Sequence, residues 1–228
     1  MKTIAFYLPQ FHAIPENDEW WGEGFTEWVN VKNAKALFQG HVQPKVPLNG
    51  NYYNLLDDNV KKWQISLAKK YRVDGFCFYH YWFGGKLLLE KPVEQYLLNK
   101  ELDHPFCFCW ANPDWTRIWA GEGKSVLIEQ KYGDETQWEA HFKYLLPFFK
   151  DERYIKENNK PLLVIYMPEE IARLEDMVAF FKRRAEEEGF SGLKLAYQYY
   201  QTPENDIRIR HLFDYCIEFQ PVYALHAL

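Results

Sequence analysis

Gly75-Phe76-Cys77-Phe78-Tyr79-His80-Tyr81, Pro105-Phe106-Cys107-Phe108-Cys109-Trp110 and Pro161-Leu162-Leu163-Val164-Ile165-Tyr166-Met167 are the stretches whose reading decides the fold. Each is short and apolar at successive positions, so both faces of the strand it predicts must be covered. Further strands are predicted at 3–8, 193–199 and 215–219, the last two joined by a shorter segment at 207–212. Between them lie amphipathic segments at helical spacing. Residues 57–71 carry Val60, Trp63, Leu67 and Tyr71, with Asp57 and Asp58 as capping candidates. Residues 92–102 present Val93, Tyr96 and Leu97, and 134–149 present Trp138, Phe142, Leu145 and Phe149. Residues 168–188 open on Pro168 and present Ile171, Leu174, Val178 and Phe181, with Gly189 as the stop.

Strand–helix alternation with two-sided strands predicts an α/β fold, a parallel sheet covered by helices. A doubly wound nucleotide binder would place a Gly-rich turn after its first strand. Here that strand leaves through Pro9-Gln10-Phe11-His12, with no G-x-G-x-x-G. The expectation is therefore a (β/α)8 barrel of the TIM type. Such a barrel takes about 250 residues and eight units, whereas this chain offers about six. Residues 1–228 read as a single, incomplete barrel domain, with a long first βα loop at 9–56.

Composition narrows the function. The chain is 47% hydrophobic and 26% charged, with a net charge of −5, which lacks the basic footprint of a nucleic-acid binder. No run approaches the ~20 apolar residues of a membrane span, and no cleavable leader is visible. Cys77, Cys107, Cys109 and Cys216 each sit in an apolar strand-like run and read as free buried thiols, which points to a cytoplasmic, reduced setting. No metal-ligand spacing and no cofactor motif is present, so none is expected. Aromatic residues are 18% of the chain, and all nine tryptophans fall between Trp20 and Trp138.

In barrels the site is built by the loops after the strands. The first such loop supplies His12, Trp20, Trp21, Glu27, Trp28 and Asn30. The second supplies His80, Tyr81 and Trp82, and the third Asn112, Asp114, Trp115 and Trp119. Sugars present apolar faces ringed by hydroxyls, and flat aromatic walls with bidentate polar groups suit them. His12, Trp28, Asn30, His80, Tyr81, Trp82, Asn112, Asp114 and Trp115 are accordingly the candidate glycan-binding residues. Trp63 and Trp138, on helix stripes, read as core. Glycosidic cleavage usually uses two carboxylates. Glu218, inside an apolar strand where an ionised group is costly, and Glu27 are the candidates for catalysis.

Several motifs carry a family resemblance. Phe6-Tyr7-Leu8-Pro9-Gln10-Phe11-His12, Ile14-Pro15-Glu16-Asn17-Asp18-Glu19-Trp20-Trp21-Gly22, Gly24-Phe25-Thr26-Glu27-Trp28 and Trp110-Ala111-Asn112 are among them. So are Asp74-Gly75-Phe76-Cys77-Phe78-Tyr79, Tyr81-Trp82-Phe83, Leu127-Ile128-Glu129-Gln130 and Lys160-Pro161-Leu162-Leu163. In this order, over essentially the whole chain, the sequence resembles the glycoside hydrolase family 99-like proteins of WbsX type. The resemblance implies a (β/α)8 barrel and a carbohydrate-active function connected with bacterial surface polysaccharides such as O-antigen and lipopolysaccharide.

The chain departs from that family's pattern at Pro113-Asp114, at Ile118 and at Ala120. It also lacks the late Asn-Glu-Trp-x-Glu segment that carries the family's glutamate pair, ending before that point, so it reads as truncated. Three functions follow as expectations: a glycoside hydrolase on a surface polysaccharide or mannose-like glycan, a glycosyltransferase of polysaccharide biosynthesis, or an inactive glycan-binding fragment. The partner expected is an oligosaccharide or polysaccharide, and the open barrel edges are expected to promote self-association.

Overall fold

The computed structural model describes residues 2–117, 125–199 and 208–218. Along the chain, β1 (Ile4–Tyr7) is followed by α1 (Pro15–Trp21), α2 (Glu27–Asn33) and α3 (Asp58–Lys70). Then come β2 (Gly75–Phe83), β3 (Lys86–Leu88), α4 (Lys91–Leu98), β4 (Phe106–Trp110), and the short pair β5 (Trp115–Thr116) and β6 (Val126–Ile128). Next are α5 (Glu135–Lys150), β7 (Lys156–Glu157), β8 (Lys160–Ile165), α6 (Leu174–Glu187), β9 (Lys194–Tyr199) and β10 (Tyr215–Glu218).

Six of these strands pair in parallel in the order β1-β2-β4-β8-β9-β10. This is a mixed α/β fold with a curled, open parallel sheet of barrel type, as the two-sided apolar runs predicted. All five residues of β4 and eight of the nine in β2 are buried. The sheet and its helix layer share one large core that includes Phe78, Phe108, Leu163 and Leu195 with Tyr96, Phe142, Leu145 and Phe181. Gly75 is required by contact: a Cβ there would lie 2.9 Å from Ile155 Cδ1 and 3.0 Å from the Pro105 carbonyl oxygen.

The helices are where expected, with instructive differences. Asp134 and Gln137 form a capping box that starts α5, and Pro147 lies inside the helix without ending it. Pro168 opens a single 3-10 turn, and α6 begins only at Leu174. On α3 the expected stripe is rotated. The buried positions are Lys61, Ile65 and Ala68, whereas Trp63 is 42% exposed and Tyr71 more so. The phase was set by Lys61, whose ammonium is satisfied inside by the Leu55 carbonyl at 2.7 Å and Gln95 Oε1 at 2.8 Å. A lysine with these partners can occupy the buried face. Cys77, Cys107 and Cys109 are buried free thiols, but Cys216 is exposed, because β10 carries little cover.

The long β1–α3 connection is not structureless. It contains α1, α2 and a short 3-10 turn, and it is tied back at Leu55 N–H, which donates to the Phe11 carbonyl at 3.0 Å. No helix among the described residues is long and apolar enough to cross a membrane.

Candidate functional site

Register sorts the strand residues into two faces, because partners across a parallel ladder point the same way and neighbours along a strand point oppositely. Phe6 pairs with Cys77, Cys77 with Cys107, Tyr79 with Cys109, Cys109 with Val164 and Val164 with Ala196. These line the concave face, and two residues further on the same face carries Tyr81, Ala111, Tyr166 and Gln198. The opposite face, with Phe78, His80 and Trp82, meets the helices.

At the carboxyl end of the concave face, aromatic and amide groups converge. The Phe6 and Tyr79 rings stack at 5.4 Å, and Tyr166 meets Tyr79 edge-on at 6.2 Å. Tyr81 packs against Trp115 at 5.1 Å, and Trp115 against Trp20 at 5.8 Å. Gln10 Nε2 donates to the Tyr81 hydroxyl at 3.0 Å. Burial first, then the neighbouring Tyr79, Cys109, Glu27 and Tyr166, raise the Tyr81 pKa and keep its hydroxyl protonated. Gln198 is 1% exposed and lies against the Tyr79 hydroxyl, yet neither its amide nitrogen nor its oxygen has an aligned hydrogen-bond partner. The Gln10 Oε1 is likewise buried without one. Unsatisfied buried amides cost stability, and they are groups that a polyhydroxylated ligand would pair.

Glu27 reaches this end from the first turn of α2, which Thr26 caps by accepting from Trp28 N–H at 3.3 Å. Burial raises the Glu27 pKa, partly offset by a hydrogen bond from Asn30. Trp28 stands to one side. Its indole donates to the Tyr53 carbonyl at 2.8 Å and its ring packs on Phe11 at 4.7 Å. A hollow of about 230 Å³ opens there, bordered by Phe6, Leu8, Phe11, Tyr53 and Leu55. His12 is fully buried, its Nδ1 on the Pro9 carbonyl at 2.8 Å and its Nε2 without a partner. Burial lowers its pKa, so it stands neutral.

The remaining sequence candidates lie elsewhere. His80 faces the helices, with its Nε2 2.9 Å from His141 Nε2, and Trp82 lies flat on the His141 ring at 4.8 Å. Burial lowers the pKa of both histidines, His80 to about 3, so one neutral ring donates to the other. Asn112 is fully buried and structural in its bonding. It donates to the Met167 carbonyl at 2.7 Å and to the Tyr132 hydroxyl at 3.0 Å, and accepts from Met167 N–H at 2.8 Å. Asp114 accepts from Gln130 N–H at 2.7 Å, holding β5 against β6.

Glu218 ends β10 opposite Tyr199, on the helix-side face by alternation, and is exposed. The desolvation argument for it therefore fails, and it does not group with Glu27. Trp119 and Phe219 lie outside the described residues. Among the described residues no group of three or more His, Cys, Asp or Glu is placed to hold a metal.

Sequence reasoning thus brought Glu27, Asn30, Tyr81 and Trp115 to one mouth and missed Gln10, Tyr79, Tyr166 and Gln198. The available signal was the period of two. Tyr79 and Tyr81 stand two and four positions beyond Cys77, on the face that also carries the small Cys107 and Cys109.

A family described as glycosyltransferase WbsX matches residues 3–227. The chain belongs to the glycosyltransferase WbsX family. Among its relatives is WxcX, an uncharacterized protein of Xanthomonas campestris pv. campestris, 40% identical over 220 residues. That alignment covers 96% of this chain and 31% of WxcX, so the chain spans about a third of the length of the curated relatives it matches. Of solved structures, the GH99 endo-alpha-mannosidase from Bacteroides thetaiotaomicron superposes with a TM-score of 0.56 at 17% identity. The superposition covers 95% of this chain and 58% of that one. A second structure of that enzyme gives 0.54 at 16% identity, over 95% and 61%. At these identities the likeness is one of fold: this WbsX-family chain has the sheet and helix arrangement of part of a GH99-type barrel.

Proposed function

We propose that this WbsX-family chain binds a bacterial surface polysaccharide or mannose-like glycan at the carboxyl end of its concave sheet face, and serves a glycoside-hydrolase type of chemistry there. The observation that carries the reading is the convergence of Tyr79, Tyr81, Tyr166 and Trp115 with the buried amides of Gln10 and Gln198, which keep hydrogen-bonding capacity beyond their contacts to Tyr81 and Tyr79. Flat rings take the apolar faces of a sugar, and unpaired amide donors and acceptors take its hydroxyls. Glu27 is the acid of the site. A carboxyl raised by burial holds a proton closer to neutral pH, as protonation of a leaving glycosidic oxygen requires. The fold shared with an endo-alpha-mannosidase supports the same class.

The second reading is glycosyl transfer, which the family's description favours. Titration calorimetry separates the two. Mannose- and rhamnose-containing oligosaccharides are expected to bind saturably, and a nucleotide-diphosphate sugar is not. Oligosaccharide binding that survives Tyr81→Ala and Gln198→Ala unchanged would sink the site. Tight binding of the sugar nucleotide alone would replace hydrolysis by transfer.

A further inference from the structure

The connection between β1 and α3 carries a surface that the glycan site does not use. Leu37, Phe38, Val42, Val46 and Leu48 are 84%, 67%, 67%, 66% and 86% exposed. Five large apolar side chains within twelve residues, all mostly in water, is more than scattered surface hydrophobicity. The same stretch has a distinctive charge. From Trp28 to Leu56 there is no Asp or Glu, although the chain holds 32, while Lys32, Lys35 and Lys45 are present. All three lysines are exposed. A locally cationic, apolar projection thus stands on a chain whose net charge is −5.

Amphipathic rings flank it. Lys32 Nζ lies 4.3 Å from the Tyr52 ring, Tyr52 packs on Trp28, and Tyr53 links Trp28 to the exposed Trp63 at 6.3 Å. Exposed aliphatic tips, lysines without intervening acids and a border of Trp and Tyr together fit one partner chemistry, the interface of an anionic bilayer. A protein surface that merely lacked its partner would explain the apolar tips but not the exclusion of acids over 29 residues.

We infer that the projection at 32–48 docks peripherally on anionic phospholipid, with Leu37, Phe38, Val42, Val46 and Leu48 entering the headgroup region and the lysines adding charge attraction. The surface borders the mouth through Trp28, so a chain docked this way would hold its site close to the membrane. The inference stands independently of which glycan reaction the site performs.

Vesicle flotation tests it with the 228-residue chain. Phosphatidylcholine vesicles containing phosphatidylglycerol are expected to carry the protein, and pure phosphatidylcholine vesicles far less. Binding should weaken with added salt. Each lysine removed should lower partitioning about fivefold, following the charge contribution of a basic residue near such a surface. The double variant Lys35→Glu, Lys45→Glu should fall further, and Leu37→Ser with Phe38→Ser should abolish flotation. These positions are exposed, and an unchanged cooperative melt verifies that the variants fold. Absence of flotation with anionic vesicles overturns the inference, as does equal flotation with neutral ones. Self-association by light scattering that Leu37→Ser, Phe38→Ser abolishes, without lipid binding, would assign the surface to a second copy instead.

Discussion

Alternate residues of β2 serve two different chemistries. His80 and Trp82 enter a closed layer in which rings lie flat on one another, with His80 on His141 and the Trp82 carbonyl accepting from Gln130 at 2.9 Å, while the Tyr144 hydroxyl stacked beside them is buried without an aligned partner. Tyr79 and Tyr81 face the concave side, where Gln198 and Gln10 have amide atoms that nothing in the described residues satisfies. The helix face is built of stacked rings, and the concave face sets two amides beside tyrosine hydroxyls. Both kinds of residue read alike as an aromatic strand exit, and only the pleat separates them.

The comparison can be broken most forcefully on the helix side. Trp82→Ala should destabilise the fold by about 3–5 kcal/mol, the usual cost of deleting a packed aromatic, measured by denaturant titration. Glycan affinity of the folded fraction should stay as it was. A large loss of affinity with little change in stability would put Trp82 in the cleft after all.

Acid should attack the same layer. His80 has a folded pKa of about 3 against an ordinary 6.5, so the unfolded chain binds the extra proton first. Stability is fully present above about pH 6.5 and is lost as pH falls toward 3, by an amount on the order of 4 kcal/mol. Replacing the pair with apolar residues, His80→Phe with His141→Leu, should flatten that slope in melts taken across the range. An unaltered slope would show that other groups set the acid limit.

The concave face should respond with the opposite sign. Gln198→Leu removes a buried amide with no aligned partner beyond its contact to the Tyr79 hydroxyl and should stabilise the fold by about 1 kcal/mol while weakening oligosaccharide binding. A destabilised variant would mean that the amide is satisfied within the protein. The smallest effect on binding belongs to Tyr81→Phe, which deletes a hydroxyl: about a fivefold loss of glycan affinity, the worth of one net hydrogen bond, with stability lowered by about 1 kcal/mol because Gln10 Nε2 loses its acceptor. Affinity equal to that of the parent would remove the hydroxyl from the contact set.

The architecture was legible because its evidence is local. Two-sided apolar runs such as residues 105–110 read as covered strands, and the stripe of α5 fell where its periodicity placed it, as did that of α6 from Leu174 on. The α3 stripe was not legible, because a lysine occupies the buried phase and two aromatics the wet one. Trp63 and Tyr71 imitate a core pattern, and only the tertiary partners of Lys61 reveal the true face.

The candidate site was half legible for a related reason. Residues in and after the strand exits can be proposed from position, as Glu27, Tyr81 and Trp115 are. Gln198 and Tyr166 acquire meaning only once register sets them on the face of Tyr79, and register is a property of pairs of strands that no single segment carries. Glu218 is exposed for the same reason: its apolar sequence surroundings promise burial, but β10 has a neighbour on one side only among the described strands.

The staple made by Asn112 has a mechanical consequence. Its side chain grips both the N–H and the C=O of Met167 while its own carbonyl accepts from the Tyr132 hydroxyl at 3.1 Å. The exits of β4 and β8 therefore move as one stiff lip. In the proposed glycan site the opposite rim is the β1–α3 connection, which the Glu16–Lys86 ion pair at 2.9 Å and the hydrogen bond from Gln10 to the Tyr81 hydroxyl join to β3 and β2. Glu27 thus stands on the rim opposite the Asn112 staple.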